Sequence, residues 1–88
     1  MIENSDRAVA QHVVEWDERN LAHLLAGDVS PSEVDEVLHS PTSLRRRLAG
    51  GRRKYHGRTL GGRRLSIVVD VLGPNHVRPR TAREMPRP

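Results

Sequence analysis

Ser30-Pro31-Ser32-Glu33 constrains the fold of this chain more tightly than any other stretch. Serine is a natural N-cap, proline suits the first helical position, and a glutamate three residues after the serine completes a capping box. A helix starts here. Val34, Val37 and Leu38 supply its apolar stripe, and Pro41 ends it. Just upstream, Leu21, Leu24 and Leu25 fall at i, i+3 and i+4 within 18–27, with Asp17 placed to cap and Gly27 to stop. The front of the chain therefore reads as a short strand, "VVEWD" at 13–17, followed by a helical hairpin.

The rest changes character. "RRLSIVVDVL", 63–72, is a strand with Ile67–Val69 at its heart, and "RKYHGRTL", 53–60, precedes it across a Gly-Gly turn as a β-hairpin partner. "GPN", 73–75, turns the chain again into "HVRPRTARE", 76–84. The expected fold class is α+β, in the order β-α-α-β-β-β, with two N-terminal helices covering one face of a small antiparallel sheet and the other face open. Residues 1–11 read as a tail or short helical extension, 12–85 as one domain, and 86–88 as a frayed end. An 88-residue chain is one domain. With no Phe, one Tyr and one Trp, its core must come from Leu, Val and Ala, with Trp16 the largest anchor on offer. There is no cysteine for a disulfide or thiolate zinc site, no run long enough for a membrane span and no secretory-signal layout, which fits the cytoplasm.

Charge is split along the chain. Residues 1–44 carry nine carboxylates against two arginines, a net of −7; residues 45–88 carry thirteen cations against Asp70 and Glu84, a net of +11. A half this basic meets phosphate or an acidic protein. The two halves can neutralise each other only in part.

The strand 76–84 is the most unusual. At period two, His76, Arg78, Arg80, Ala82 and Glu84 share one side and Val77, Pro79, Thr81 and Arg83 the other, and neither side is a core face. Pro79 cannot donate to a ladder, so it signals an edge or a bulge; a bulge would switch the parity and bring Arg78, Thr81 and Arg83 together. These arginines could simply blunt a strand edge. Arg53, Lys54, Arg58, Arg63 and Arg64 on the neighbouring strands, together with Arg80, point instead to a phosphate-binding platform.

Several modes of phosphate recognition fit this sequence poorly. Base-stacking sheets need aromatics, and only Tyr55 and Trp16 are present. No helix is basic along one face, as major-groove reading requires. "AGGRRK" lacks the Gly-Lys-Ser/Thr ending of a nucleotide loop. His12, His23, His39, His56 and His76 show no ligand spacing, so neither metal nor cofactor is expected. RNA carries its own nucleophile, the 2′-hydroxyl, and can be cleaved by groups that orient it, grip the phosphate and move protons. Arg58, Arg78 and Arg83 suit the grip, Thr81 can donate to a phosphate oxygen, and His56 or His76 can move protons near neutral pH.

"VEWDERNLAHLLAGDVSPSEVDEVL", "GRTLGGRRLSIVVDV" and "VRPRTAR" resemble, in that order, the opening, the hairpin and the last strand of BrnT-type toxins of type II toxin–antitoxin pairs. The matches include Trp16, Asp17, Asn20, His23, Ser30 and Glu33, then Gly57, Arg58, Thr59 and Gly62, then Arg78, Thr81, Ala82 and Arg83. The sequence departs from that pattern at Ala26-Gly27-Asp28 and at Pro79-Arg80. The resemblance implies a RelE-like fold and a ribonuclease that arrests translation. It also implies a ribbon-helix-helix antitoxin (BrnA-like) that holds the ribonuclease inactive, the pair together binding operator DNA. The family's functional groups would fall on Arg58, Arg78, Thr81 and Arg83, with Arg53 beside them. Two other readings fit the residues: a catalytically inactive homologue that binds a partner or RNA, and a small basic accessory protein of the ribosome.

Overall fold

The strand with Ile67–Val69 at its heart lies in the middle of a five-stranded sheet in the computed structural model, which describes residues 13–86. The elements are β1 (Val13–Val14), α1 (Glu18–Ala26), α2 (Pro31–Leu38), β2 (Leu44–Leu48), β3 (Arg52–Arg58), β4 (Arg64–Gly73) and β5 (His76–Glu84). The strand order is β1-β5-β4-β3-β2, with β1 parallel to β5 and all other pairs antiparallel. This is the expected α+β plan. The tail or extension expected over 1–11 lies outside the described residues, as do 87–88.

Capping chemistry sets both helix starts. The Asp17 carboxylate accepts from the Asn20 N–H at 2.9 Å while the Asn20 side chain accepts from the Asp17 N–H at 2.7 Å. Ser30 and Glu33 exchange the same pair of bonds at 3.2 and 3.1 Å. Each helix packs chiefly on a strand, α1 on β5 and α2 on β3, so the expected helical hairpin is splayed over the sheet rather than closed on itself. Gly27 caps α1, but the left-handed residue of the turn is Asp28, at φ 63.

The sheet holds one strand more than the pattern suggests. "LRRRL" in β2 has no apolar alternation to betray it, and it needs none, because β2 is an edge strand that among the described residues packs chiefly on β3. Ala49-Gly50-Gly51 turns it into β3, with Gly50 and Gly51 at φ 77 and 72, a conformation that glycine alone takes cheaply.

Leu65, Ile67 and Val69 of β4 are fully buried beneath the helices, with Leu24, Val29, Val34 and Val37 packed against them. The largest fully buried side chain is Tyr55, not Trp16, which is only partly buried at the margin of the core. Gly57 faces the same side of β3 as Tyr55 and lets α2 dock directly. A Cβ there would overlap the Ser43 hydroxyl and sit 3.1 Å from Val37 Cγ1. That hydroxyl donates to the Val37 carbonyl at 2.7 Å.

The bulge anticipated around Pro79 exists. Val68 pairs with Thr81 and Val69 with Pro79, so Arg80 has no partner on β4. Val77 and Pro79 point into the core before it and Ala82 after it, which turns Arg78, Thr81 and Arg83 to the outer face. The Pro79 carbonyl accepts from the buried Asn20 amide at 3.3 Å. Pro79 is tolerated because, among the described residues, β1 pairs only with residues 76 and 77 and leaves this edge of β5 open.

Candidate nucleic-acid interface

Cross-strand pairing fixes which side chains share the uncovered face. Leu44, His56, Ser66 and Arg83 form one row across β2, β3, β4 and β5. Arg46, Lys54, Val68 and Thr81 form the next, and Leu48, Arg52, Asp70 and Arg78 the third. Arg58 and Arg64 pair directly beyond the His56 row. Strands lie about 4.8 Å apart, so His56 and Arg83 stand two strands, or about 10 Å, from each other with Ser66 between them.

The face divides electrostatically. At one end Asp70 gathers three guanidiniums: Arg80 at 3.2 Å, Arg52 at 3.5 Å and Arg78 at 3.7 Å. Glu15 holds His76 Nε2 at 2.9 Å and lies 4.0 Å from Arg78. At the other end Arg46, Lys54, Arg58, Arg64 and Arg83 form no ion pair among the described residues. The exposed Thr81 hydroxyl lies between the two ends, with no hydrogen-bond partner among the described residues. Three guanidiniums on one carboxylate still leave that end positive.

The two histidine candidates are not equivalent. His76 is tied to Glu15. His56 stands among cations, and burial, then Lys54, then Arg46 hold its pKa below the ordinary imidazole value. A neutral imidazole can accept a proton at neutral pH, which suits a general base.

Two of the arginines expected on the phosphate platform lie elsewhere. Arg63 reaches the start of α2 and the loop before it: its guanidinium donates to both Glu33 oxygens at 2.9 Å and to the Asp28 carbonyl at 3.1 Å, and pairs with Glu84 at 3.3 Å. It clamps α2 and the loop before it to the sheet. Arg53 faces the same side as Tyr55 and donates to its hydroxyl at 3.1 Å. Arg80 sits on the bulge against Asp70 and remains beside the platform. Arg58, Lys54, His56, Arg64, Arg78, Thr81 and Arg83 share the outer face.

Sequence reasoning missed Ser66, Arg46 and Asp70. Ser66 and Asp70 alternate with Leu65, Ile67, Val69 and Val71, which was the available signal; Arg46 depends on a strand with no signal of its own. A cleft of about 370 Å³ opens where Arg19 and His23 of α1 face Arg78–Thr81. Among the described residues, no cluster of three or more His, Asp or Glu could hold a metal ion, and no helix is long and apolar enough to cross a membrane.

Sequence comparison finds no matching protein-family model and no matching curated protein. Structure comparison finds the crystal structure of the Brucella abortus ribonuclease toxin BrnT, at a TM-score of 0.68 over 88% of this chain and 99% of that one, with 11% identity. At that identity the likeness concerns the fold: the chain has a BrnT-like α+β architecture.

Proposed function

We propose that this chain is the toxin of a type II toxin–antitoxin pair, a metal-independent ribonuclease that arrests translation in the cytoplasm. The observation that carries the reading is the unpaired half of the outer face, where Arg58, Arg64, Arg83 and Lys54 surround a histidine held neutral by its surroundings. A fold shared with a ribonuclease toxin supports it.

In this mechanism the RNA phosphate settles among Arg58, Arg83 and Arg78, with Thr81 donating to a non-bridging oxygen. His56 takes the proton from the 2′-hydroxyl. The 2′-oxygen attacks phosphorus and the P–O5′ bond breaks, the departing 5′-oxygen taking a proton from solvent water; the products carry a 2′,3′-cyclic phosphate and a 5′-hydroxyl. The guanidiniums stabilise the charge that grows on the phosphoryl oxygens. Lys54, Arg64 and Arg80 extend the grip along the strand. By its resemblance to BrnT-type toxins, the chain is held inactive by a ribbon-helix-helix antitoxin, and operator DNA is bound only through that partner.

The test is cleavage of a single-stranded RNA in EDTA by the purified chain, scored by cyclic-phosphate ends. The wild type cleaves and arrests growth when expressed; Arg78→Ala with Arg83→Ala does neither. Equal toxicity of the double variant removes the catalytic assignment. The capture of Arg78 and Arg80 by Asp70 favours a second reading, a non-catalytic module that binds RNA or a partner. RNA binding without cleavage selects that one.

A further inference from the structure

β2 is built against its own neighbours. Arg46 lies directly opposite Lys54, and Arg47 directly opposite Arg53. Like charges directly opposite one another destabilise an antiparallel pair. Arg45, Arg46 and Arg47 form no ion pair among the described residues. The strand packs chiefly on β3, and among the described residues nothing pairs with its other edge. Leu44 is 71% exposed beside a hollow of about 310 Å³ that it lines with Arg45, Arg46, Lys54 and His56.

Charge on an edge strand also blunts it against aggregation. Three consecutive arginines place charge on both faces at once. Arg46 points to the RNA-facing side with Leu44 and Leu48, whereas Arg45 and Arg47 point to the other. A polynucleotide lying on the outer face reaches Arg46 alone. A polypeptide strand paired along the edge meets all three, and its backbone satisfies the open N–H and C=O groups.

We propose that the free edge of β2 takes up an extended acidic segment of a partner protein as a sixth strand. Carboxylates at alternate positions lie beside Arg45 and Arg47, and an apolar side chain covers Leu44 from the other face. This inference does not rest on the ribonuclease reading, and its test does not measure cleavage.

The probe is a ten-residue peptide alternating Glu and Val, titrated into the 88-residue chain while amide hydrogen exchange is followed by NMR. The expected result is at least tenfold slower exchange of those amides in 44–48 that point away from β3. Its counterpart N-methylated at alternate residues, unable to form a ladder, leaves them unchanged. Arg45→Glu with Arg47→Glu weakens peptide binding at least tenfold while RNA binding through Arg58 and Arg83 is retained. Three results overturn the proposal: protection of these amides in the free chain, equal binding of the methylated peptide, and equal protection by a ten-nucleotide oligouridine, which makes nucleic acid the occupant. The methylated peptide acts on the wild-type chain, so that arm stands even where the double variant fails to fold.

Discussion

The Asn20 amide reaches across 59 positions of sequence to donate to the Pro79 carbonyl at 3.3 Å, and its second bond goes to the Glu15 carbonyl at 3.1 Å. One buried side chain thus caps α1, holds the end of the first strand segment and fixes the bulge that turns Thr81 and Arg83 outward. Asn20→Leu leaves a buried carbonyl unpaired, and such losses cost about 1–3 kcal/mol. Urea denaturation should show that loss. In the surviving folded fraction, RNA cleavage should fall further than in a variant of equal stability mutated far from β5.

Gly57→Ala should destabilise the chain without touching the outer face. The added methyl enters the space taken by the Ser43 hydroxyl and crowds Val37. Overpacking of this kind typically costs about 1–3 kcal/mol. Gly57→Ala with Ser43→Gly removes the overlap and should recover part of the loss. Thermal melts of the two variants measure this, and a neutral Gly57→Ala would show that α2 does not dock as described.

What was legible in the sequence was local. Asp17, Ser30 and Glu33 act within one helical turn, so their pattern survives without knowledge of the fold. The alternation of Leu65, Ile67 and Val69 marks the central strand for the same reason. The faces of 76–84 were not legible, because one inserted residue, Arg80, inverts the parity of everything after it, and nothing in the spacing says where the insertion falls. β2 was hidden because an edge strand has no buried face to write a pattern. Arg63 could not be told from its neighbour Arg64: strand parity sends the first to Glu33 and the second to the open face, and that requires the register.

The Glu33–Arg63 pair should set part of the acid limb of stability. The Ser30 backbone bond first, then Arg63, holds the Glu33 carboxyl below its usual range despite partial desolvation. A carboxylate with a lowered folded pKa contributes stability that is present above the unfolded value and lost as pH falls through the folded one. Glu33→Gln should therefore lower stability at pH 7 and flatten its dependence on pH below about 4.3, the ordinary glutamate value. Denaturation midpoints between pH 3 and 7, compared with the wild type, test this.

His56 should shape the pH dependence of cleavage. Its neutral form is the base, and burial with Lys54 and Arg46 nearby favours that form, so the rate should rise with pH and level off below the ordinary imidazole value of about 6.5. Removing a neighbouring cation, as in Arg46→Ala, should move this limb to higher pH. His56→Gln should abolish the limb and lower the rate by about 10²–10⁴-fold, the usual contribution of a general base. Stability follows the same sign: the unfolded chain binds the proton more readily, so stability should fall as pH drops below about 6.5. A rate profile unchanged by Arg46→Ala would count against His56 as the titrating group.

Salt distinguishes a phosphate grip from other attachments to this face. Arg58, Lys54, Arg64 and Arg83 lack carboxylate partners among the described residues, so each can displace a counterion from RNA without first giving up a bond. Arg78 and Arg80 must leave Asp70 to do the same, which lowers their net gain. At about −0.7 per contact for a single strand, four contacts give a slope of log K against log salt near −3. Arg83→Ala should reduce the magnitude of the slope by about 0.7. Asp70→Asn should act in the opposite direction, freeing Arg78, Arg80 and Arg52 to join the count and making the slope steeper. Fluorescence anisotropy of a labelled oligouridine between 50 and 200 mM salt reads all three, and a slope near zero in the wild type would mean that this face does not hold RNA by its phosphates.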